Sequence, residues 1–106
     1  MANAKQIKRI EEMERCLDRS RAALDALLPA LDELEAAQKG LQKLSGYYGS
    51  ERWMQDFEDD EAGRLPAALK RGVLSEDAVY DLLSDYRELC RRLLRLVSEA
   101  LDMDFV

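Results

Sequence analysis

The side chains best suited to chemistry are concentrated in one short stretch, residues 45–63. Six acids and one arginine give this stretch a net charge of −5, out of −6 for the whole chain. Carboxylate oxygens are the ligands that Ca²⁺ and Mg²⁺ prefer in proteins. The acids that could share such a cation are Asp56, Glu58, Asp59 and Asp60. If the chain has a functional site, we expect it in or facing this segment.

Three interpretations of the acidic run stay open at the level of sequence. The run ends a short predicted helix, where each negative charge is unfavourable by about 0.3–1 kcal/mol. The cations that follow, Arg64, Lys70 and Arg71, could fold back and neutralise it. Alternatively, the acids could hold a divalent cation or could form a docking surface for a basic partner.

An EF-hand does not account for the acids. A calcium loop beginning at Asp56 would place Glu61 where the motif needs glycine and Ala67 where it needs the final glutamate. A helical Mg²⁺ site needs carboxylates three or four residues apart on one helix and others from a facing helix. Asp56 with Asp59 or Asp60 would supply the carboxylates of the first helix.

Aromatic residues accompany the acids. Trp53, Met54 and Phe57 are spaced i, i+1, i+4 and are expected to give the short helix one apolar face. Aromatic residues at helical spacing are more typical of a core than of a ligand-stacking surface. The two adjacent cations at 70 and 71 could bind an anion, although pairing with the acidic run is the simpler expectation. The candidate binding residues are Tyr47, Tyr48, Trp53, Asp56, Asp59, Asp60, Lys70 and Arg71.

Composition excludes several other chemistries. Without histidine, Ser-His-Asp and Cys-His catalysis are excluded. The two cysteines, Cys16 and Cys90, are too few for a zinc site, and we expect buried, reduced thiols in a cytoplasmic protein. No catalytic residue and no cofactor is predicted. A net charge of −6 disfavours nucleic acid and anionic membranes as partners.

Apolar residues recur with a seven-residue period from about residue 3 to residue 44. This heptad pattern predicts a long helix that packs along another helix, as in a coiled coil. Pro29 interrupts the pattern without shifting its register, which favours a kink near residue 29 over a break. The heptad residues are Ile10, Met13, Leu17, Ser20, Leu24, Leu27, Leu31, Leu34 and Leu41.

Turn and capping residues divide the rest of the chain. Ser45-Gly46 is expected to end the first helix, and Ser50 to cap a short helix over 51–61 that Gly63 closes. A second short helix is predicted over 66–71. Ser75 is expected to cap a long helix over 76–102.

The predicted fold is a single all-α domain spanning residues 1–106. Its architecture is an elongated helical hairpin or bundle of two long helices plus one or two short helices. We expect the first long helix to pack antiparallel on the last, with the segment around 46–75 across one end.

The middle of the chain resembles a family of short bacterial proteins known only as a domain of unknown function. The resemblance lies in the string from Tyr47-Tyr48-Gly49-Ser50 through Trp53 and Leu65-Pro66 to Leu69–Asp77, which begins LKRGV. It implies a bacterial, cytoplasmic, helical protein. It carries no activity, substrate or cofactor, and therefore no site residues.

The leading functional hypothesis is a non-enzymatic helical module for protein–protein interaction or structure, either with a protein partner or as a homodimer. The motivation is an excess of heptad surface for one short chain. One alternative is a hydrolase or small-ligand binder that uses the acids at 56–61 with a divalent metal. A second alternative is an acidic regulator of a basic partner.

Overall fold

The computed structural model describes residue 1 and residues 3–104, and it is all-α. Three helices follow in order, with no strand among the described residues: α1 (Ala4–Tyr47), α2 (Glu51–Glu61) and α3 (Ala78–Leu101). A 3₁₀ turn spans Gly72–Leu74, immediately before α3. The predicted class, with two long helices and a short one between them, is confirmed.

The chain divides into two compact units, Met1–Gln38 and Lys39–Val106. The division falls inside α1, so the first unit consists of little more than a single helical segment. The second unit contains the last turns of α1 together with α2, the 3₁₀ turn and α3. All the candidate binding residues lie in the second unit.

Helix α1 runs through Pro29 without a break. Asn3 caps its start, since the Gln6 N–H donates to the Asn3 side-chain oxygen over 2.8 Å. The helix does not end at Ser45-Gly46 as the sequence suggested. It continues to Tyr47, and the chain turns at Gly49, whose φ of +77° suits glycine.

Helix α2 has the bounds expected from its capping residues. The Ser50 hydroxyl accepts a hydrogen bond from the Trp53 N–H over 3.2 Å. At the other end Gly63 adopts φ +71°, while the Gly63 and Arg64 N–H groups bond the carbonyls of Asp60 and Asp59. This paired arrangement is a Schellman motif, which satisfies the last carbonyls of the helix.

The prediction of a second short helix over 66–71 is wrong. Residues 64–71 form a turn in which the Leu69 N–H bonds the Pro66 carbonyl over 3.1 Å. The stretch between Pro66 and Gly72 is too short to repay the cost of helix nucleation. Its Ala67 carbonyl instead accepts a hydrogen bond from the Arg71 guanidinium.

Helix α3 begins at Ala78, two residues later than expected. Ser75 still acts as a cap, because its hydroxyl accepts from the Ala78 N–H over 3.1 Å. The Glu76 carbonyl, just before the helix, accepts a hydrogen bond from the Tyr48 hydroxyl over 2.8 Å. This contact ties the residue that follows α1 to the segment that leads into α3.

Both cysteines are free and exposed, so the expected burial of Cys16 and Cys90 is wrong. They lie on α1 and α3, on helix faces that nothing in the structure fully covers. Within the described part of the chain, neither long helix has a stretch apolar enough to cross a bilayer.

Candidate functional site

The buried centre of the second unit is formed by three apolar side chains. Trp53 of α2 is 8% exposed, and Leu74 of the 3₁₀ turn and Val79 of α3 are buried with it. Each comes from a different element. The tryptophan is therefore the residue through which α2 is attached to the segment that leads into α3.

Aromatic packing and one hydrogen bond hold Trp53 in place. The indole ring stacks on Phe57, with ring centroids 5.2 Å apart and planes 18° apart. Tyr48 meets the same indole edge-on at 5.2 Å. The indole N–H donates to the Val73 carbonyl over 2.9 Å. The prediction that these aromatics are core residues is confirmed for Trp53.

Tyr47 and Asp56, two of the predicted site residues, are brought together. The tyrosine hydroxyl donates to the Asp56 carboxylate over 2.6 Å. Burial, the hydrogen bond to Asp56 and the charge of that carboxylate together raise the pKa of Tyr47 to about 12. Tyr47 is therefore a neutral donor at physiological pH, and it ties the end of α1 to α2.

The acids at the end of α2 are paired with cations that follow them in the chain. Arg64 contacts Asp59 at 2.9 Å, and Arg71 contacts Asp60 at the same distance. Hydrogen bonds, first from Arg64 and then from Gln55, lower the pKa of Asp59 below its ordinary value. The interpretation that downstream cations fold back on the run is thus seen for these two arginines.

The two ion pairs differ in solvent exposure, and this decides their relative importance. The Arg71 side chain is 32% exposed and the Arg64 side chain 66%. Because Arg71 also donates to the Ala67 carbonyl over 3.3 Å, it braces the 64–71 turn as well as α2. Exposed ion pairs contribute little to stability, so Arg71 is the more important of the two.

Four acids had been singled out as possible metal ligands, and three of them have protein partners. Asp56 accepts from Tyr47, Asp59 from Arg64 and Gln55, and Asp60 from Arg71. Glu58 is on the same helix. No group of three or more acids or cysteines placed to hold one metal ion occurs among the described residues. A cation site here stays a prediction, and it would require these partners to be exchanged.

Lys70 lines an open groove with a volume of about 450 Å³. Lys70 is the single charged side chain in the lining, and the others are apolar or glycine. The lining residues are Leu44, Lys70, Gly72, Val73, Ala78, Val79 and Leu82. Leu44 belongs to the last turns of α1 and Leu82 to α3.

Sequence reasoning missed the residues that complete these contacts. Gln55 could have been found, because it lies four residues before Asp59 on the same helix. The Val73 and Glu76 carbonyls could not, since a main-chain acceptor leaves no mark in the sequence.

Exposed apolar side chains also lie outside this region, on α1. We define the α1 seam as six heptad residues of the first unit, each between 36% and 60% exposed. They are Ile10, Met13, Leu17, Leu24, Leu27 and Leu31. No residue of α1 is buried. These residues were expected to pack along another helix, and in the structure they are open to solvent.

Comparison with protein families agrees with the resemblance drawn from the 47–77 string. The model of a family described as a domain of unknown function, DUF4298, matches residues 10–96, and the chain belongs to that family. The match includes both the α1 seam and the contacts around Trp53. Searches of curated proteins and of solved structures gave no match.

Proposed function

We propose that this member of the DUF4298 family is a non-enzymatic helical interaction module whose partner-binding surface is the α1 seam. The carrying observation is that six large apolar side chains, spaced as in a coiled coil, remain about half exposed. A contiguous exposed apolar patch of this kind marks an interaction site in most soluble proteins. We take a second copy of the chain as the partner.

The free energy gained by burying apolar side chains favours a binding partner on the seam. Fully burying one such side chain contributes about 1.5–3 kcal/mol, so covering the exposed half of each contributes about 1 kcal/mol. An isolated helical segment has no core of its own, and most of the stability of a helix in a protein comes from packing of its apolar face. The first unit therefore gains most of its stabilisation by association.

The contacts around α2 support a structural role for the other candidate residues. Tyr47, Trp53 and Arg71 each bond a neighbouring element of the second unit. Their polar atoms are used to position α2 and the 64–77 segment.

A cytoplasmic location fits the exposed thiols. Cys16 and Cys90 are both free and accessible. Accessible, unpaired thiols persist in a reducing compartment, whereas an oxidising one favours disulfides.

The seam can be tested with a matched pair of double variants. Leu17→Glu with Leu24→Glu places two acids in the seam, and Ala22→Glu with Ala26→Glu places two on the outer face of the same helix. Helical content and thermal unfolding are followed by circular dichroism at 222 nm, over a hundredfold range of protein concentration. The melting temperature of an associating protein rises with concentration.

We expect the wild type and the outer-face variant to melt at higher temperatures as concentration increases. The seam variant should lose this dependence, because a charge in the interface would be buried without a partner. If both double variants behave alike, the seam is an ordinary solvated face and the proposal is wrong.

The metal-dependent alternative makes a different prediction. A ligand at 100 times its Kd adds about 2.7 kcal/mol of stability. A melting shift with Mg²⁺, Mn²⁺ or Ca²⁺ that disappears in Asp56→Ala would favour it over an interaction module. We expect no such shift, because the carboxylates of Asp56, Asp59 and Asp60 already accept hydrogen bonds from protein donors.

A further inference from the structure

We infer that the α1 seam pairs with the seam of a second copy in antiparallel orientation, with Ile10 of one copy level with Leu34 of the other. This inference rests on the proposed function, since it assumes that the seam is the interface. It adds the direction and the register of the pairing, neither of which follows from exposed leucines alone.

The charge distribution along α1 gives the direction. Residues 4–21 contain six cations and four acids, whereas residues 22–38 contain four acids and no cation. In a parallel pair, the two acidic halves would lie side by side over residues 22–38. In an antiparallel pair, each acidic half lies against the cationic half of the other copy, and complementary fields of this kind select orientation.

The spacing of the seam gives the register. In an antiparallel coiled coil, each residue of one heptad stripe faces a residue of the other stripe across the interface. The exposed seam ends at Leu31, and Leu34 beyond it is half-buried. In one register, every layer of the interface over this length pairs a residue of one stripe with a residue of the other. Its facing pairs are Ile10 with Leu34, Met13 with Leu31, Leu17 with Leu27, and Ser20 with Leu24.

The residues beside and behind the seam are compatible with close approach. Cys16, Ala23 and Ala30 are small and lie along one flank of the seam at seven-residue spacing. Pro29 lies on the opposite side of the helix from the seam, five residues after Leu24. Its missing hydrogen bond therefore falls on the solvent side, where α-helices curve outward and their hydrogen bonds lengthen.

Direction and register can be measured by electron–electron dipolar spectroscopy on spin-labelled protein. Cys16→Ser and Cys90→Ser remove the native thiols, and a single nitroxide is attached at Lys8→Cys or at Ala22→Cys. Both positions lie on the outer face of α1, two residues before a seam position. Each labelled protein is checked for helical content against the unlabelled wild type.

The antiparallel register predicts distances that differ between the two sites. Residue 22 of one copy is level with residue 22 of the other, so its labels should lie about 20 Å apart, across two helix widths. The two copies of residue 8 are separated by 28 residues along the axis, which gives about 45 Å at 1.5 Å per residue combined with the same lateral offset.

Each other outcome overturns the inference in a recognisable way. Distances of about 20 Å at both sites would show a parallel pair, and the proposed interface would stand while its direction is wrong. Two clearly different distances that do not match the expected values would show another register. No dipolar coupling, together with a monomer mass for the wild type, would remove the proposed function as well.

Discussion

Replacement of Trp53 tests the account of how α2 is attached to the rest of the second unit. Trp53→Phe keeps a ring that can stack on Phe57 and removes the hydrogen bond to the Val73 carbonyl. Trp53→Ala removes both. The neighbouring Met54 is exposed on the same helix, so Met54→Ala serves as the matched control.

The magnitudes follow from the contacts. Loss of one hydrogen bond costs about 0.5–1.5 kcal/mol, and more where the carbonyl is left without a partner. Truncating a buried tryptophan to alanine costs about 3–5 kcal/mol. For a unit of this size, 1 kcal/mol corresponds to about 4–8 °C in Tm. We therefore expect Trp53→Phe to lower Tm by about 5–15 °C, and Trp53→Ala to unfold the second unit near ambient temperature.

Thermal unfolding by circular dichroism, with NMR of the remaining aromatic side chains, measures the effect on this unit. Met54→Ala should shift Tm by less than a few degrees, because substitutions at exposed positions are usually within about 0.5 kcal/mol. If Trp53→Phe and Met54→Ala have the same Tm, the indole contacts do not stabilise the second unit. The structural role assigned to this region is then wrong.

Three further predictions concern single residues in or next to the second unit. Gly63→Ala should destabilise the protein by about 1 kcal/mol, because alanine is strained at φ +71°. Gly46→Ala inside α1 should stabilise it by about 0.5–1 kcal/mol. Urea unfolding of both variants checks the two signs. Arg71→Ala should lower the urea midpoint more than Arg64→Ala, because its pair is better shielded from solvent, and equal midpoints would contradict this. Tyr47 should ionise near pH 12, after the ordinary tyrosine range, and a titration at 295 nm should lose this late phase in Tyr47→Phe. Since the folded pKa is raised, the stabilisation from neutral Tyr47 is complete below pH 10 and is lost as pH rises through about 12.

The features that were predictable from sequence are the ones that local residues determine. Helix α2 has its cap at Ser50 and its closing glycine at Gly63, so both ends were fixed by residues within one turn of the helix. The spacing of Trp53, Met54 and Phe57 predicted an apolar face, on which Trp53 is buried and Met54 is exposed. The heptad pattern from about residue 3 to residue 44 likewise predicted a long first helix, which spans Ala4–Tyr47.

The features that were missed depend on contacts between distant residues. Helix α3 starts two residues later than predicted, and the Glu76 carbonyl before it accepts a hydrogen bond from Tyr48, 28 residues away. The 66–71 segment is held as a turn by the Arg71 guanidinium and not by helical bonds. The cysteines were expected to be buried because they lie among apolar residues, but an apolar helix face is buried only where another element covers it.

Sedimentation equilibrium of the wild-type protein tests the central claim most directly. The account predicts a mass that rises from 12.1 kDa toward twice that value as concentration increases through the micromolar range. Leu17→Glu with Leu24→Glu should remain at the monomer mass throughout. A wild-type protein that stays at 12.1 kDa at every concentration, with α1 fully helical and thermally stable, would contradict the account.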